Sequence, residues 1–246
     1  MSLDDFRHTP LGDVGSTNTE CLERARAGDP GSHWITATRQ LEGRGRRGRP
    51  WTSEAGNLYA SLLLIDAAPM EKLHSLPLAV AVAVKNAIQA VMPPGSHPVS
   101  IKWPNDILIA GRKCCGILLE GERLKSGHHA LVIGCGINVA LAPDHGLYPI
   151  TSLRAEGAAA SPEELFAHLF SSMAEALSVW NRGEGIAEII RQWRASAGGI
   201  GQKITVNLPD RSISGRFDGI DEDGRLLLDI GAGTVQRIAA GDVFFG

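Results

Sequence analysis

Four arginines and three glycines share Gly43-Arg44-Gly45-Arg46-Arg47-Gly48-Arg49, which runs on into Pro50-Trp51. Guanidinium groups are planar forks of donors that match phosphate and carboxylate oxygens. Glycine lets a backbone approach an anion closely and enter φ > 0. The segment therefore reads as a loop able to close over a polyanion, with Trp51 offering a face for a planar ring. A solvated basic turn and an RNA-binding arginine–glycine tract carry the same letters. Because like charges in one short loop repel, it is expected to be mobile until an anion arrives. Glu42, just ahead of it, is expected to face solvent.

Three other segments collect polar groups that a simple core does not require. Lys102-Trp103-Pro104-Asn105-Asp106 puts a lysine at a strand end beside an aromatic and a turn. The turn explains Pro104, Asn105 and Asp106 but leaves Lys102 over. Gly134-Cys135-Gly136-Ile137-Asn138 puts glycines on a strand, where they permit close ligand approach or mark a β-bulge; Asn138 can donate and accept. Ser16-Thr17-Asn18 reads as a helix N-terminus, which is both a cap and a ready site for an anion or polar ligand. Cys135 reads as a small packing residue and not as a nucleophile.

The elements that must hold these groups follow from periodicity. Thr17 with Glu20 fits a capping box opening a first helix, which stops at Arg26-Ala27-Gly28. Strands are expected over residues 33–38 and, buried on both faces, over 58–65. Leu76, Val80, Ala83, Val84, Ala87 and Val91 mark a helix that Pro93-Pro94-Gly95 ends. Short strands are expected around 99–103, 107–109 and 114–119, then one from Ala130 to Ile133 running into the glycines. Ser161-Pro162-Glu163-Glu164 opens a helix with the stripe Leu165, Leu169, Met173, Leu177 and Trp180. Ile186, Ile189, Ile190 and Trp193 mark the last helix. Beyond Gly198 to Gly201 the pattern becomes short strands and turns, around 204–208, 213–220, 226–229 and 235–238. The expected division is a ligand-binding domain over residues 1–197 and a small β-unit over 198–246.

Composition narrows the class. The chain has 246 residues and a formal net charge of -3, so the arginine loop is a local feature and not part of a basic face. That weighs against a dedicated nucleic-acid binder. The four cysteines form no C-x-x-C pair and read as buried thiols of a reducing compartment. No signal segment and no apolar run of roughly 20 residues is present, so a cytoplasmic protein is expected.

The arginine loop with Trp51, the Lys102–Asp106 pentapeptide and Gly134-x-Gly136-x-Asn138, in that order, closely resemble the biotin protein ligases over essentially the whole chain. The resemblance implies an α+β fold: a mixed-sheet catalytic domain of the biotin and lipoate ligase, class II synthetase-like type, followed by a small Src-homology-3-like barrel. It implies that ATP joins the biotin carboxylate to its α-phosphate, giving biotinyl-5′-AMP and pyrophosphate. A lysine of a biotin carboxyl carrier domain then takes the biotinyl group. By this resemblance Ser16, Thr17, Asn18, Gln40, Gly43, Arg44, Gly45, Gly116, Gly134 and Gly136 surround biotin. Arg46 and Lys102 straddle its carboxylate and the α-phosphate. Arg44, Arg47, Arg49, Trp51, Asn105, Lys113 and Asn138 attend the nucleotide. Mg²⁺ accompanies ATP, on carboxylates the sequence does not single out.

Two departures stand out. Leu41-Glu42 replaces the small residues usual before the loop, and with so few residues ahead of Ser16 the DNA-binding repressor function of some members is not expected. A homodimer is possible within the family. The rivals are a lipoate or octanoate ligase of the same fold and, from another class, an RNA-binding module; a catalytically dead ligand-binding homologue is disfavoured by the intact Lys102.

Overall fold

A computed structural model describes residues 3–143 and 149–245. Its centre is a seven-stranded sheet in the order β1-β2-β3-β7-β6-β5-β4. The strands are β1 (Arg7–Val14), β2 (His33–Gln40), β3 (Leu58–Ile65), β4 (Val99–Lys102), β5 (Asp106–Ile109), β6 (Arg112–Arg123) and β7 (His129–Ile137). β1 runs parallel to β2 and the remaining neighbours are antiparallel, so the sheet is mixed as expected.

Side chains alternate across a strand, and β3 shows which layer each face meets. Leu58, Ala60, Leu62 and Leu64 join the main hydrophobic cluster with α2 (Leu76–Val91), α3 (Pro162–Trp180) and α4 (Ile186–Ser196). Leu63 points the other way, into a smaller cluster with Cys21 and Ala25 of α1 (Thr17–Arg26), Ile35, Ala130 and Val132. Three helices therefore cover one face and α1 covers only part of the other. The same face continues along Ser61 and Gly134, under the first residues of α1, to Gly136, which none of these helices covers; Ser61 shares the parity of Leu63, and both glycines that of Val132. Among the described residues no helix is long and apolar enough to cross a membrane.

A second, antiparallel sheet has the order β11-β10-β9-β8-β12, from β8 (Lys203–Asn207), β9 (Ser212–Ile220), β10 (Leu226–Asp229), β11 (Val235–Ile238) and β12 (Asp242–Phe245). Ile204, Val206, Phe217, Leu226 and Leu228 belong to the same continuous cluster as α2. Trp103 Nε1 donates to the Gly224 carbonyl at 3.1 Å, and a Cβ on Gly224 would sit 2.6 Å from Leu78 Cδ1. This close seating on α2 and on the β4–β5 turn brings the start of β12 to the face of the first sheet that carries Gly134 and Gly136.

The structure corrects several expectations. β1 and β12 had no clear pattern in the sequence: β1 is an edge strand with no buried residue and carries Pro10 and Gly12, as edges tolerate. The first helix has no capping box. Ser16 is the N-cap without a side-chain bond, Gln40 Oε1 accepts the Thr17 N–H at 2.9 Å, and Glu20 pairs with Arg24 at 2.7 Å. A partner from β2 has taken over the cap's work. The box at Ser161 and Glu164 is complete in both directions. No bulge interrupts Gly134 to Gly136, whose pairing to both neighbours is regular; the register shift lies between β5 and β6, at Ile107/Leu108.

Candidate active site

On the uncovered face lies a cavity of about 400 Å³. Its floor is glycine because nothing larger fits. Gly116 of β6 faces Gly136 of β7 in register, and the Trp51 indole lies on the pair. A Cβ on Gly136 would stand 2.5 Å from Trp51 Nε1, and one on Gly116 3.0 Å from Cζ3. One step along β7, a Cβ on Gly134 would collide with Asn18 Oδ1. None of the three has φ > 0, so their role is close approach and not a turn. Trp51 Nε1 is buried without a hydrogen-bond partner.

At one end, the N-terminus of α1 builds a polar wall. Ser16, Thr17 and Asn18 are all buried. Ser61 Oγ lies 2.6 Å from Asn18 Oδ1 and 2.7 Å from Thr17 Oγ1. The amide oxygen can only accept, so the single Ser61 proton goes to Asn18. Thr17 Oγ1 donates to Gln40 Oε1 at 3.0 Å, Gln40 Nε2 donates to Ser53 Oγ at 3.0 Å, and Asn18 Nδ2 donates to Glu120 at 2.7 Å. The orientation of every amide in this wall is thereby set before any ligand enters.

The arginine loop folds as a narrow hairpin over the opening. Trp51 N–H donates to the Gly43 carbonyl at 2.9 Å and Gly45 N–H to the Arg49 carbonyl at 2.7 Å. Its tip is left-handed at Arg47 (φ 57°) and Gly48 (φ 68°). Gly43 is excluded from the lining; a Cβ there would lie 2.5 Å from Ser53 Oγ and from the Trp51 carbonyl. Arg44 pairs bidentately with Glu120, at 3.1 and 2.9 Å, and reaches Thr19 Oγ1 at 3.0 Å. Arg46 donates to Asn105 Oδ1 at 3.0 Å. Arg47 and Arg49 reach one Asp242 oxygen, at 3.0 and 2.6 Å, with Arg46 3.9 Å from the other. Burial alone would raise the Asp242 pKa. The Arg49 hydrogen bond and the charges of Arg49, Arg47 and Arg46 outweigh it and leave the carboxyl below its ordinary range. Glu120 and Asp242 thus offset the like-charge repulsion among the loop arginines. Glu42 is exposed, as expected.

Lys102 and Lys113 enter from the β4–β5–β6 meander. Lys102 ends β4 opposite Asp106 and is buried; desolvation lowers its pKa from 10.5 to about 8, Lys113 pushes the same way, and Asp106 and Asp242 oppose. Phe244 and Phe245 place ring centroids 6.0 and 5.9 Å from its Nζ. Lys113 lies 2.7 Å from Asp106 and 5.4 Å from the Trp51 ring centroid, a cation–π distance. The turn between β4 and β5 contains a cis Trp103–Pro104 bond, and Asn105 Nδ2 donates to the Ile117 carbonyl at 2.6 Å. Asn105 thus ties the turn, β6 and Arg46 together. At the far end Asn138 is buried, with Nδ2 donating to the Thr151 carbonyl at 3.1 Å.

Of the candidate residues named from the sequence, all but Gly43 and Arg47 line this one cavity. Cys135 also lines it, but burial pushes its thiol up to about 12, which makes it a protonated packing group. Sequence reasoning missed Glu120 and Asp242 altogether and took Asp106 for a turn former. Alternation could have found Glu120, which shares a face with Gly116; nothing local marks Asp242.

Residues 14–138 match the model of the biotin/lipoate A/B protein ligase family, and residues 199–246 match that of the biotin protein ligase C terminal domain. The chain is 38% identical to a biotin--[acetyl-CoA-carboxylase] ligase of Paracoccus denitrificans, over 96% of this chain and 99% of that one. It is 33% identical to the enzyme of the same name from Mycobacterium tuberculosis, over 94% and 85% of the two chains. Among solved structures, the biotin protein ligase from Aquifex aeolicus in complex with biotin and ATP superposes with a TM-score of 0.81 at 27% identity, covering 98% of each chain. In family, fold and the order of its motifs, this chain belongs to the biotin protein ligases.

Proposed function

We propose that the protein is a biotin protein ligase that converts biotin and ATP to biotinyl-5′-AMP and pyrophosphate. It then passes the biotinyl group to a lysine amine on the carrier domain of a biotin-dependent carboxylase. The observation that carries this reading is the convergence on one cavity of a satisfied polar wall, two lysines and an arginine hairpin. In the proposed arrangement the ureido head meets Thr17, Asn18 and Gln40, whose fixed donors and acceptors suit a small polar ring. The carboxylate points toward Lys102 and Arg46. The nucleotide lies toward Trp51, Lys113 and Asn138, with Arg49 reaching the phosphates from the loop and Arg47, outside the lining, holding the hairpin through Asp242.

Chemistry then rests on positioning and charge. The carboxylate oxygen attacks the α-phosphorus and pyrophosphate leaves with its electron pair; negative charge gathers on phosphate oxygens, where lysine and arginine donors stabilise it. In the second half the carrier amine attacks the biotinyl carbonyl, AMP leaves, and the amine proton passes to solvent or to a basic group. Mg²⁺ arriving with ATP would be held mainly by the phosphates and would neutralise their charge. Among the described residues no group of three or more metal-ligating side chains exists, but Asp106 and Asp242 both line the cavity and fit one or two carboxylate contacts.

The test is ATP–pyrophosphate exchange driven by biotin, followed by labelling of a biotin-carrier domain. Exchange driven by lipoate or octanoate and not by biotin would reverse the assignment within the family.

A further inference from the structure

The strap that follows β7 walls the far end of the cavity with Asn138 and Pro143. A side chain outside that wall holds its backbone. Asn57, in the turn ahead of β3, is 6% exposed. Its Oδ1 accepts three successive amides, from Val139 at 2.9 Å and from Ala140 and Leu141 at 3.0 Å. Its Nδ2 donates to the Leu141 carbonyl at 2.9 Å, so both backbone groups of Leu141 are taken by one side chain. Gly56 (φ 98°) brings the turn close: its carbonyl accepts the Ala140 N–H at 3.2 Å, and a Cβ there would lie 3.3 Å from Ala140 Cβ. On its other side the strap is stitched by Leu153 N–H to the Asn138 carbonyl and Arg154 N–H to the Val139 carbonyl, both 2.9 Å. The stretch closest to Pro143 depends on Asn57.

We propose that Asn57 is a positioning residue for the reaction. It fixes the strap so that Asn138 and Pro143 meet the nucleotide as a preformed wall, and so it sets the affinity for ATP without touching it. This rests on the reading above that the nucleotide occupies that end and biotin the α1 end. A carboxamide suits the task because the strap presents three donors and one acceptor to the same side chain. Alanine supplies neither, and aspartate only accepts. A wall left to order itself on each binding event costs affinity for the ligand that needs it.

The test uses the whole chain with Asn57→Ala and Asn57→Asp, measuring biotin-dependent ATP–pyrophosphate exchange and amide hydrogen exchange. Asn57→Ala is expected to raise the KM for ATP by about tenfold or more, with the KM for biotin within about twofold of wild type. Amides of residues 139–141 exchange faster while those of α2 keep their protection. Asn57→Asp keeps the acceptor and falls between the two. Equal rises in both KM values, a loss confined to kcat, or unchanged protection of 139–141 would each overturn the proposal. A wild-type protein without biotin-driven exchange would overturn the functional reading itself, and this inference with it.

Discussion

Lys102 carries a stability cost and a catalytic benefit, so a single substitution should move the two in opposite directions. Burial is the main cause that brings its pKa from 10.5 to about 8. That difference corresponds to about 3 kcal/mol of penalty for holding the ammonium in the fold at neutral pH. Lys102→Met keeps the unbranched stem, one atom shorter, and removes the charge, as when a buried ion gives way to an apolar side chain of similar volume. Asp106 keeps Lys113 and Asp242 keeps its arginines, so neither carboxylate is stranded. The variant should therefore be more stable at pH 7, by up to about 3 kcal/mol, and form adenylate about 10²- to 10³-fold more slowly, the loss seen when one charge-stabilising donor is removed.

The pH dependence supplies an independent check. Between pH 8 and 10.5 the unfolded chain holds a proton on Lys102 that the folded one has released. Stability from this group therefore rises with pH across that window, and Lys102→Met should abolish the rise. In kcat/KM for biotin, wild type should lose activity above about pH 8 as the free enzyme deprotonates. Chemical denaturation and pyrophosphate exchange, each run from pH 6 to 10 on both proteins, give all four comparisons. A Lys102→Met protein that is less stable than wild type yet exchanges normally would refute both the buried charge and its role.

Gly134→Ala places a methyl against Asn18 Oδ1, and relief must break the bond to Ser61 or that to Glu120. Biotin affinity by calorimetry should fall by about 1.5–3 kcal/mol while the strand pairing survives; an unchanged Kd would remove Asn18 from the biotin end. Asp242→Asn should cost about 1 kcal/mol at pH 7, discounted because its arginine partners are partly exposed. The Asp242 pKa is depressed, so that contribution is present above the ordinary carboxylate value and lost as pH falls through the folded value. The deficit relative to wild type should shrink at pH 3; a constant deficit in denaturant melts would mean the charge is not what matters.

The parts of the fold legible in the sequence are those whose signal is local. α2 and α3 announce themselves through apolar spacing and, for α3, a capping box that forms as written. β3 reads as buried on both faces because two layers do cover it. What the sequence hides is cooperative. Thr17 and Glu20 have the letters of a capping box, yet Gln40, brought alongside by β2, satisfies the helix start. β1 has no fully buried residue to give it a pattern, since the sheet pairs it and the layers reach only single residues, Phe166 on His8 and the α1 cluster on Leu11. Asp242 lies almost two hundred positions beyond the loop it neutralises, and no spacing rule spans that distance.

The same contrast explains how a chain with a net charge of -3 can build a site for an anion. Among the described residues, Arg44, Arg46, Arg49, Lys102 and Lys113 line the cavity with only Asp106 and Asp242 as carboxylates, and Glu120 holds Arg44 from the side. Each carboxylate faces a cation, so the cations are oriented before the ligand arrives and little reorganisation remains for the reaction. The pairing is incomplete by design of the fold, because the cations outnumber the anions and the local field stays positive. An anion entering the cavity therefore gains from the surplus while it competes with carboxylates for individual donors. Affinity is then a difference of two large terms, and neutralising a carboxylate such as Asp242 changes both at once: it strengthens the attraction and loosens the hairpin that delivers it.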